Sequence, residues 1–207
     1  MTVRLHRGDL PDLSRYTGSV AIDTETMGLH PHRDRLCVVQ LSNGDGSADV
    51  VQIPKDYGKV HADAPNLKAL LGDPKITKIF HFARFDIAVL YHSFGVMPQP
   101  VYCTKIASRL TRTYTDRHGL KDLVRELLNI DLSKQQQSSD WGSQQLSEAQ
   151  LAYAASDVLH LHALKEKLEA LLVRENRLDL AKACFDFLPV RARLDLAGWN
   201  GDIFSHE

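Results

Sequence analysis

Five residues in three short stretches have the types and spacing to hold metal ions. In Ile22-Asp23-Thr24-Glu25 two carboxylates sit two residues apart at the end of an apolar, β-branched run. In a strand such residues point to one face, so Asp23 and Glu25 project together and repel unless cations neutralise them. His81-Phe82-Ala83-Arg84-Phe85-Asp86 leaves a second apolar run and places Asp86 at the start of a helix. In Tyr153-Ala154-Ala155-Ser156-Asp157 the tyrosine and the aspartate are four apart and share a helical face. Each stretch alone has an ordinary explanation. A strand end meets solvent, a first-turn aspartate suits the helix dipole, His81 closes a strand, and a buried tyrosine bonds a nearby acid. Together they offer four hard oxygen ligands with no thiolate and no imidazole, the set that suits Mg²⁺ or Mn²⁺. His160 and His162 lie close to Asp157, but at a spacing of two they do not face one ligand in a helix.

The elements that must position these groups follow from the punctuation. Three apolar runs, Ser19–Asp23, Leu36–Ser42 and Val50–Ile53, are separated by turn-rich segments and read as consecutive antiparallel strands. The pattern then alternates. A helix over Asn66–Leu71, a strand over Ile76–His81, a helix over Phe85–Phe94 and an extended piece at Val101–Thr104 precede helices at Lys105–Thr111 and Gly119–Leu128. After a polar stretch that includes Gln135-Gln136-Gln137-Ser138-Ser139, one long helix is expected from Ser147, its N-cap, with Glu148 and Gln150 in the first turn. Its apolar stripe, from Leu151 and Ala154 through Val158 and Leu161 to Leu171, advances by three or four. Strands followed by alternating helices and strands predict an α/β fold with a mixed sheet flanked by helices.

The 207 residues fit one domain, with 43% hydrophobic and 25% charged residues supporting a packed core. No apolar run approaches the roughly 18 residues of a membrane span, and the first ten residues lack the apolar stretch of a secretory signal. Cys37, Cys103 and Cys184 are odd in number and scattered, which argues against a disulfide framework and a zinc site. A cytoplasmic protein is expected. The net charge of −1 argues against a protein that grips long nucleic acid through a broad basic track; it is compatible with one that holds a short end through metal ions and a few local cations.

D-x-E on a strand, H-x4-D opening a helix and Y-x3-D on a late helix together resemble the DEDD exonuclease superfamily. The tyrosine branch, the RNase D-like proteins, fits, because the histidine branch places a histidine five residues before the last aspartate, where Ala152 stands. Ser139-Asp140-Trp141, Leu146-Ser147, Gln150 and Tyr153-Ala154-Ala155-Ser156-Asp157-Val158 are similar to the RNase D stretch running through S-D-W, L-S and Y-A-A-x-D-V. The resemblance covers about residues 20–172. Two departures stand out. Gln144-Gln145 occupy the place of an Arg-Pro pair, and the sequence stops where longer RNase D proteins continue into helical RNA-binding domains. The short form and the Asp-Thr-Glu-Thr-Met-Gly-Leu opening are similar to the nanoRNase C group.

The resemblance implies an RNase H-like fold with a five-stranded mixed sheet, an exonuclease domain over residues 1–175, and a C-terminal segment, 176–207, that docks on the domain or lies at an oligomer interface. It implies 3′→5′ hydrolysis of short RNA, down to dinucleotides, by two divalent ions. Such ions sit roughly 3.5–4 Å apart and offset the charge on the attacking and leaving oxygens. Asp23 would bridge them, Glu25 and Asp157 would complete one site, Asp86 would reach the other, and Tyr153 would position the attacking water. Thr26, Met27, Gly28 and Leu29 after the first carboxylates, with His81 and Arg84, become candidate substrate contacts. Lys105, Arg109 and Arg112 lie on one helical face; most of that surface is expected to be solvated, with Arg112 or His118 reaching a phosphate. The family forms homo-oligomers, in some cases a ring such as an octamer. Longer RNA, DNA 3′ ends and binding without cleavage are the competing readings; the last expects at least one missing carboxylate, and none is missing.

Overall fold

The computed structural model of the chain describes residues 2–55, 62–133, 136 and 138–206. Strands β1 (Thr2–Arg7), β2 (Ser19–Thr26), β3 (Leu36–Ser42) and β4 (Ser47–Gln52) are followed by helix α1 (Pro65–Gly72), strand β5 (Thr77–Phe80), helix α2 (Ala83–Phe94) and strand β6 (Val101–Cys103). Helices α3 (Thr104–Thr111), α4 (Leu120–Leu128), α5 (Glu148–Leu159), α6 (Leu161–Arg174) and α7 (Leu178–Leu196) complete the chain. The six strands form one mixed sheet in the order β1-β4-β3-β2-β5-β6. The sheet thus has six strands rather than the five expected from the sequence. The added strand, β1, runs parallel to β4 with Arg4 opposite Asp49. Two of its polar residues, Arg4 and His6, are partly buried and turn to the buried Asp49. Arg4 Nε and His6 Nε2 both bond Asp49 Oδ1, at 2.7 and 2.9 Å, and the Tyr16 hydroxyl donates to Asp49 Oδ2 at 2.6 Å. A charged strand is therefore stable at this edge, where no apolar run announces it.

The Gly-rich turn after β3 closes the β2–β3–β4 meander, in which both pairings are antiparallel, as the short connections require. Strands β5 and β6 continue parallel to β2, and parallel pairing demands the crossovers that α1 and α2 supply. The sheet is covered on both faces. Val38 and Val50 pack with Trp141 and Ala154 of α5, whereas Ile22, Val39 and Leu41, pointing the other way, pack in the larger cluster with Ile87 and Leu90 of α2. The apolar stripe from Leu151 to Leu171 belongs to two helices, not one. The break falls at His160, which ends α5 and begins α6, so the stripe turns with the chain and buries Ala154 and Val158 in α5, then Leu161, Leu164 and Leu168 in α6. Periodicity alone does not reveal a one-residue break between helices with compatible faces. Gln135 and Gln137 of the polar stretch lie outside the described residues.

Helix α7 buries Ala181, Phe185, Leu188 and Ala192 and lies against α2. Arg84 of α2 holds its end through a two-pronged pair with Asp195, both contacts at 2.6 Å. Among the described residues, no helix is long and apolar enough to cross a membrane.

Candidate active site

Strand β2 carries the first two carboxylates past the end of its neighbour. It pairs with β5 only over Ser19–Ala21, whereas its antiparallel pairing with β3 runs on to Thr26, with Asp23 opposite Gln40 and Glu25 opposite Val38. The edge of β2 beyond Ala21 is therefore open on the β5 side, and the start of α2 fills it. The chain leaves β5 through Phe82, whose backbone is left-handed at φ 68°. That conformation is costly for a bulky residue and is kept only where the surroundings impose it. The turn brings Asp86, in the first turn of α2, up to β2 from the face opposite Asp23 and Glu25. Asp86 is buried, and Thr24 Oγ1 donates to its Oδ1 at 2.7 Å.

The third contribution comes from α5. Its start is fixed by a capping box in which the Ser147 hydroxyl accepts from the Gln150 N–H and the Gln150 side chain accepts from the Ser147 N–H. Such a cap is worth about 1 kcal/mol. Gln150 Nε2 also donates to the Asp140 carbonyl at 3.1 Å, which ties the helix to the loop carrying Trp141. The buried Trp141 ring lies 6.0 Å from that of Tyr153. With its start and one side held, α5 crosses β2, β3 and β4 and sets Asp157 over the two acids of β2.

Oxygen atoms of Asp23, Glu25 and Asp157 all lie within 4.8 Å of one another. Asp86 stands outside this trio, but its charge acts on both Asp23 and Glu25. Burial, then the neighbouring acids Asp86, Asp157 and Glu25, holds Asp23 well above the carboxylate range. Burial, reinforced by Asp157 and Asp86, lifts Glu25 to about 8. Asp86 and Asp157 are each lifted to about 7, mainly by burial; the Thr24 bond opposes the rise at Asp86, and the Tyr153 hydroxyl opposes it at Asp157. Burial and the nearby Asp157, Glu25 and Asp23 push the Tyr153 hydroxyl upward as well. Four buried acids, three of them raised further by acidic neighbours, form a site short of positive charge. Their oxygens are hard ligands of the kind Mg²⁺ and Mn²⁺ prefer, so the residues present fit divalent cations.

The other residues singled out by sequence divide into two groups. Thr26 ends β2, and Met27, Gly28 and Leu29 form the bend that leaves it. Met27 N–H donates to the Arg35 carbonyl at 3.0 Å, and Gly28 is packed so closely on the Asp34 carboxylate that a Cβ would collide with it. Met27 lies over Gly142, where an added Cβ would come within 2.5 Å of its sulfur. Leu29 is 77% exposed. The second group serves the fold. Arg112, expected to reach a phosphate, is 1% exposed; it pairs with Glu126 and donates to Ser108 Oγ at 2.9 Å and the Arg117 carbonyl at 2.7 Å. Its guanidinium is spent on joining α3 to α4. His118 bonds Ser108 Oγ at 2.8 Å, and His81 Nδ1 bonds Thr104 Oγ1 at 2.9 Å. Burial depresses His81 to about 3, so it is neutral. Arg84 is engaged by Asp195 and by the Asn200 carbonyl. Two contacts escaped the sequence reading. Thr24 and Gln40 both reach the carboxylates, Gln40 Nε2 lying 3.5 Å from Asp23 Oδ2. The one visible sign was a carboxamide inside the otherwise apolar stretch Leu36–Leu41.

A family model described as 3′-5′ exonuclease matches residues 10–173. The chain belongs to this 3′→5′ exonuclease family. Within it the chain is a DEDD-type, RNase D-like nuclease near NrnC, and so a hydrolytic enzyme. It is 39% identical to Ribonuclease D of Acidiphilium cryptum over 160 residues, covering 77% of this chain and 39% of that protein. The chain thus spans about two fifths of the length of the curated Ribonuclease D relatives it matches. Among solved structures, NrnC of Brucella melitensis bound to pGG is 63% identical with a TM-score of 0.96, each chain covered in full. The same protein with bound Mg²⁺ is 62% identical with a TM-score of 0.95, again covering both chains entirely. Escherichia coli RNase D is 28% identical with a TM-score of 0.74, covering 86% of this chain and 46% of that one. The family shares the RNase H-like architecture described above.

Proposed function

We propose that this exonuclease uses two divalent ions, Mg²⁺ or Mn²⁺, to remove nucleotides from the 3′ ends of short RNA, down to dinucleotides, in the cytoplasm. The convergence of Asp23, Glu25 and Asp157 oxygens within 4.8 Å, with Asp86 acting on two of them, is the observation that carries this reading. Asp23, Glu25 and Asp157 would hold one ion, and Asp23 with Asp86 the other. When bound, such ions make water a stronger nucleophile at neutral pH and offset charge on the phosphate oxygens. The Tyr153 hydroxyl, whose pKa is pushed upward, keeps its proton and orients the attacking water by hydrogen bonding. Met27, exposed like Leu29, offers apolar surface beside the carboxylates for the terminal base and ribose.

Preference for short substrates is supported by the net charge of −1, which provides no broad track for a long polyanion, and by the likeness to a protein solved with pGG, a ligand two bases long. We further propose that residues 1–175 form the exonuclease domain and that 176–207 contribute to a homo-oligomer, a ring such as an octamer included. Trp199 is 62% exposed and Phe204 76% exposed beyond α7, a density of bare aromatic surface typical of an interface. Light scattering combined with rates on RNAs of two to twenty nucleotides checks both points. An oligomer that turns over the shortest RNAs fastest is expected; a monomer that prefers twenty-nucleotide RNA would contradict the proposal on length and assembly.

A further inference from the structure

Gln40 sits in the middle of β3 with its side chain fully buried, 0% exposed, among residues that are otherwise almost all apolar. Its Oε1 has no hydrogen-bond partner among the described residues. A buried acceptor left unpaired destabilises the fold, so methionine or leucine would serve the core better than glutamine. The amide is not needed to hold the sheet either, since β3 is paired through its backbone on both sides.

Its position explains it. Gln40 is directly opposite Asp23 in the antiparallel pairing, so the two side chains rise from the same face. Gln40 Nε2 lies 3.5 Å from Asp23 Oδ2, at the outer limit of a hydrogen bond. Once a bound cation keeps Asp23 ionised, its carboxylate only accepts, so the nitrogen end must face it. The oxygen, on the same carbon, is then left with nothing to accept from among the described residues.

We infer that Gln40 is a positioning residue for the cation site: its NH₂ steadies the Asp23 carboxylate, and its Oε1 accepts from a water in the hydration shell of a cation held there. This rests on the metal reading proposed above. Outer contacts of this kind typically change metal affinity 10–100-fold when removed. A purely structural glutamine would instead show itself in the stability of the metal-free protein.

The test is Mn²⁺ titration of the full-length protein without RNA, following free Mn²⁺ by electron paramagnetic resonance, together with melting of the metal-free protein. Gln40→Met, similar in length but without the amide, should weaken Mn²⁺ binding by about 10-fold or more while the metal-free protein melts at or above the wild-type temperature. Gln40→Leu gives the same comparison if the methionine variant does not fold. Mn²⁺ affinity within twofold of wild type would overturn the inference whatever the melting temperature, as would an affinity loss that merely follows a large fall in melting temperature. Wild-type protein that binds no Mn²⁺ would overturn the underlying metal reading along with it; wild-type binding matched by the variants would overturn the role of Gln40 alone.

Discussion

Thr24 Oγ1 donates a 2.7 Å hydrogen bond to Asp86 Oδ1, from the face of β2 opposite the one that presents Asp23 and Glu25. The alternation of a single strand therefore serves the site twice, with odd positions carrying the proposed metal ligands and the even position between them anchoring the acid delivered by α2. A hydrogen bond to a charged group is worth about 1.5–3 kcal/mol. Thr24→Val should lower kcat/KM by roughly 10- to 100-fold, and Thr24→Ser should restore most of it. The bond opposes the rise in the Asp86 pKa, so its loss should also move the acid limb of the rate profile to higher pH. Wild-type rates in Thr24→Val across that range would remove the positioning role.

Asp23→Asn and Asp157→Asn should each abolish turnover while the protein stays folded. Both residues belong to the trio of carboxylates within 4.8 Å; burial raises both, and repulsion from Asp157 adds to the rise at Asp23 and Glu25. Removing one charge should therefore leave the metal-free protein melting at or above wild type, and should reduce the stabilisation that added Mg²⁺ provides. Differential scanning calorimetry with EDTA and then with Mg²⁺ reads both effects. A variant that melts far below wild type in EDTA would show that the acid is structural.

Burial of these acids, with repulsion added at Glu25 and Asp86, sets a pH dependence. Glu25 is lifted to about 8 and Asp86 and Asp157 to about 7, from ordinary values of 4.5 and 3.8. With folded-state values above the unfolded ones, the folded chain binds more protons between about pH 4 and pH 8. The stability these groups contribute is fully present below about pH 4 and is lost as pH rises through about 8. Metal-free protein should therefore melt progressively lower across that window apart from the response of other groups, and saturating Mg²⁺, which favours the ionised acids, should flatten the slope. A slope that Mg²⁺ leaves untouched would place the titrating groups elsewhere.

Much of the site is legible from sequence because strand and helix periods are short. Asp23 with Glu25 and Tyr153 with Asp157 need only local geometry to share a face, and the Ser147 cap is local as well. Asp86 is harder, since its arrival at β2 depends on the left-handed turn at Phe82 and on β5 ending early, and neither leaves a local mark. Arg112 shows the opposite failure. A cation on an apparently solvated helix is buried because Glu126, one helix later, folds over it. Strand β1 escaped notice for a similar reason: its Arg4 and His6 look like surface residues until Asp49 of β4 is brought beside them.

Tyr153→Phe keeps the ring that packs beside Trp141 and removes only the hydroxyl. The rate should fall by on the order of 10²–10⁴, as for a lost proton-positioning group. Binding of a short RNA in Ca²⁺ should change little. Weakened binding with unchanged turnover would make the residue a shelf for the substrate.

The most direct measurement follows a 5′-end-labelled RNA through single turnovers, comparing wild-type protein in Mg²⁺, the same protein in EDTA, and Asp23→Asn in Mg²⁺. The expected result is a ladder shortening one nucleotide at a time from the 3′ end, with release of 5′-mononucleotides, in the first sample and intact RNA in the other two. Equal cleavage in EDTA, or by the Asp23→Asn variant, would contradict the assignment of the reaction to cations held by these carboxylates.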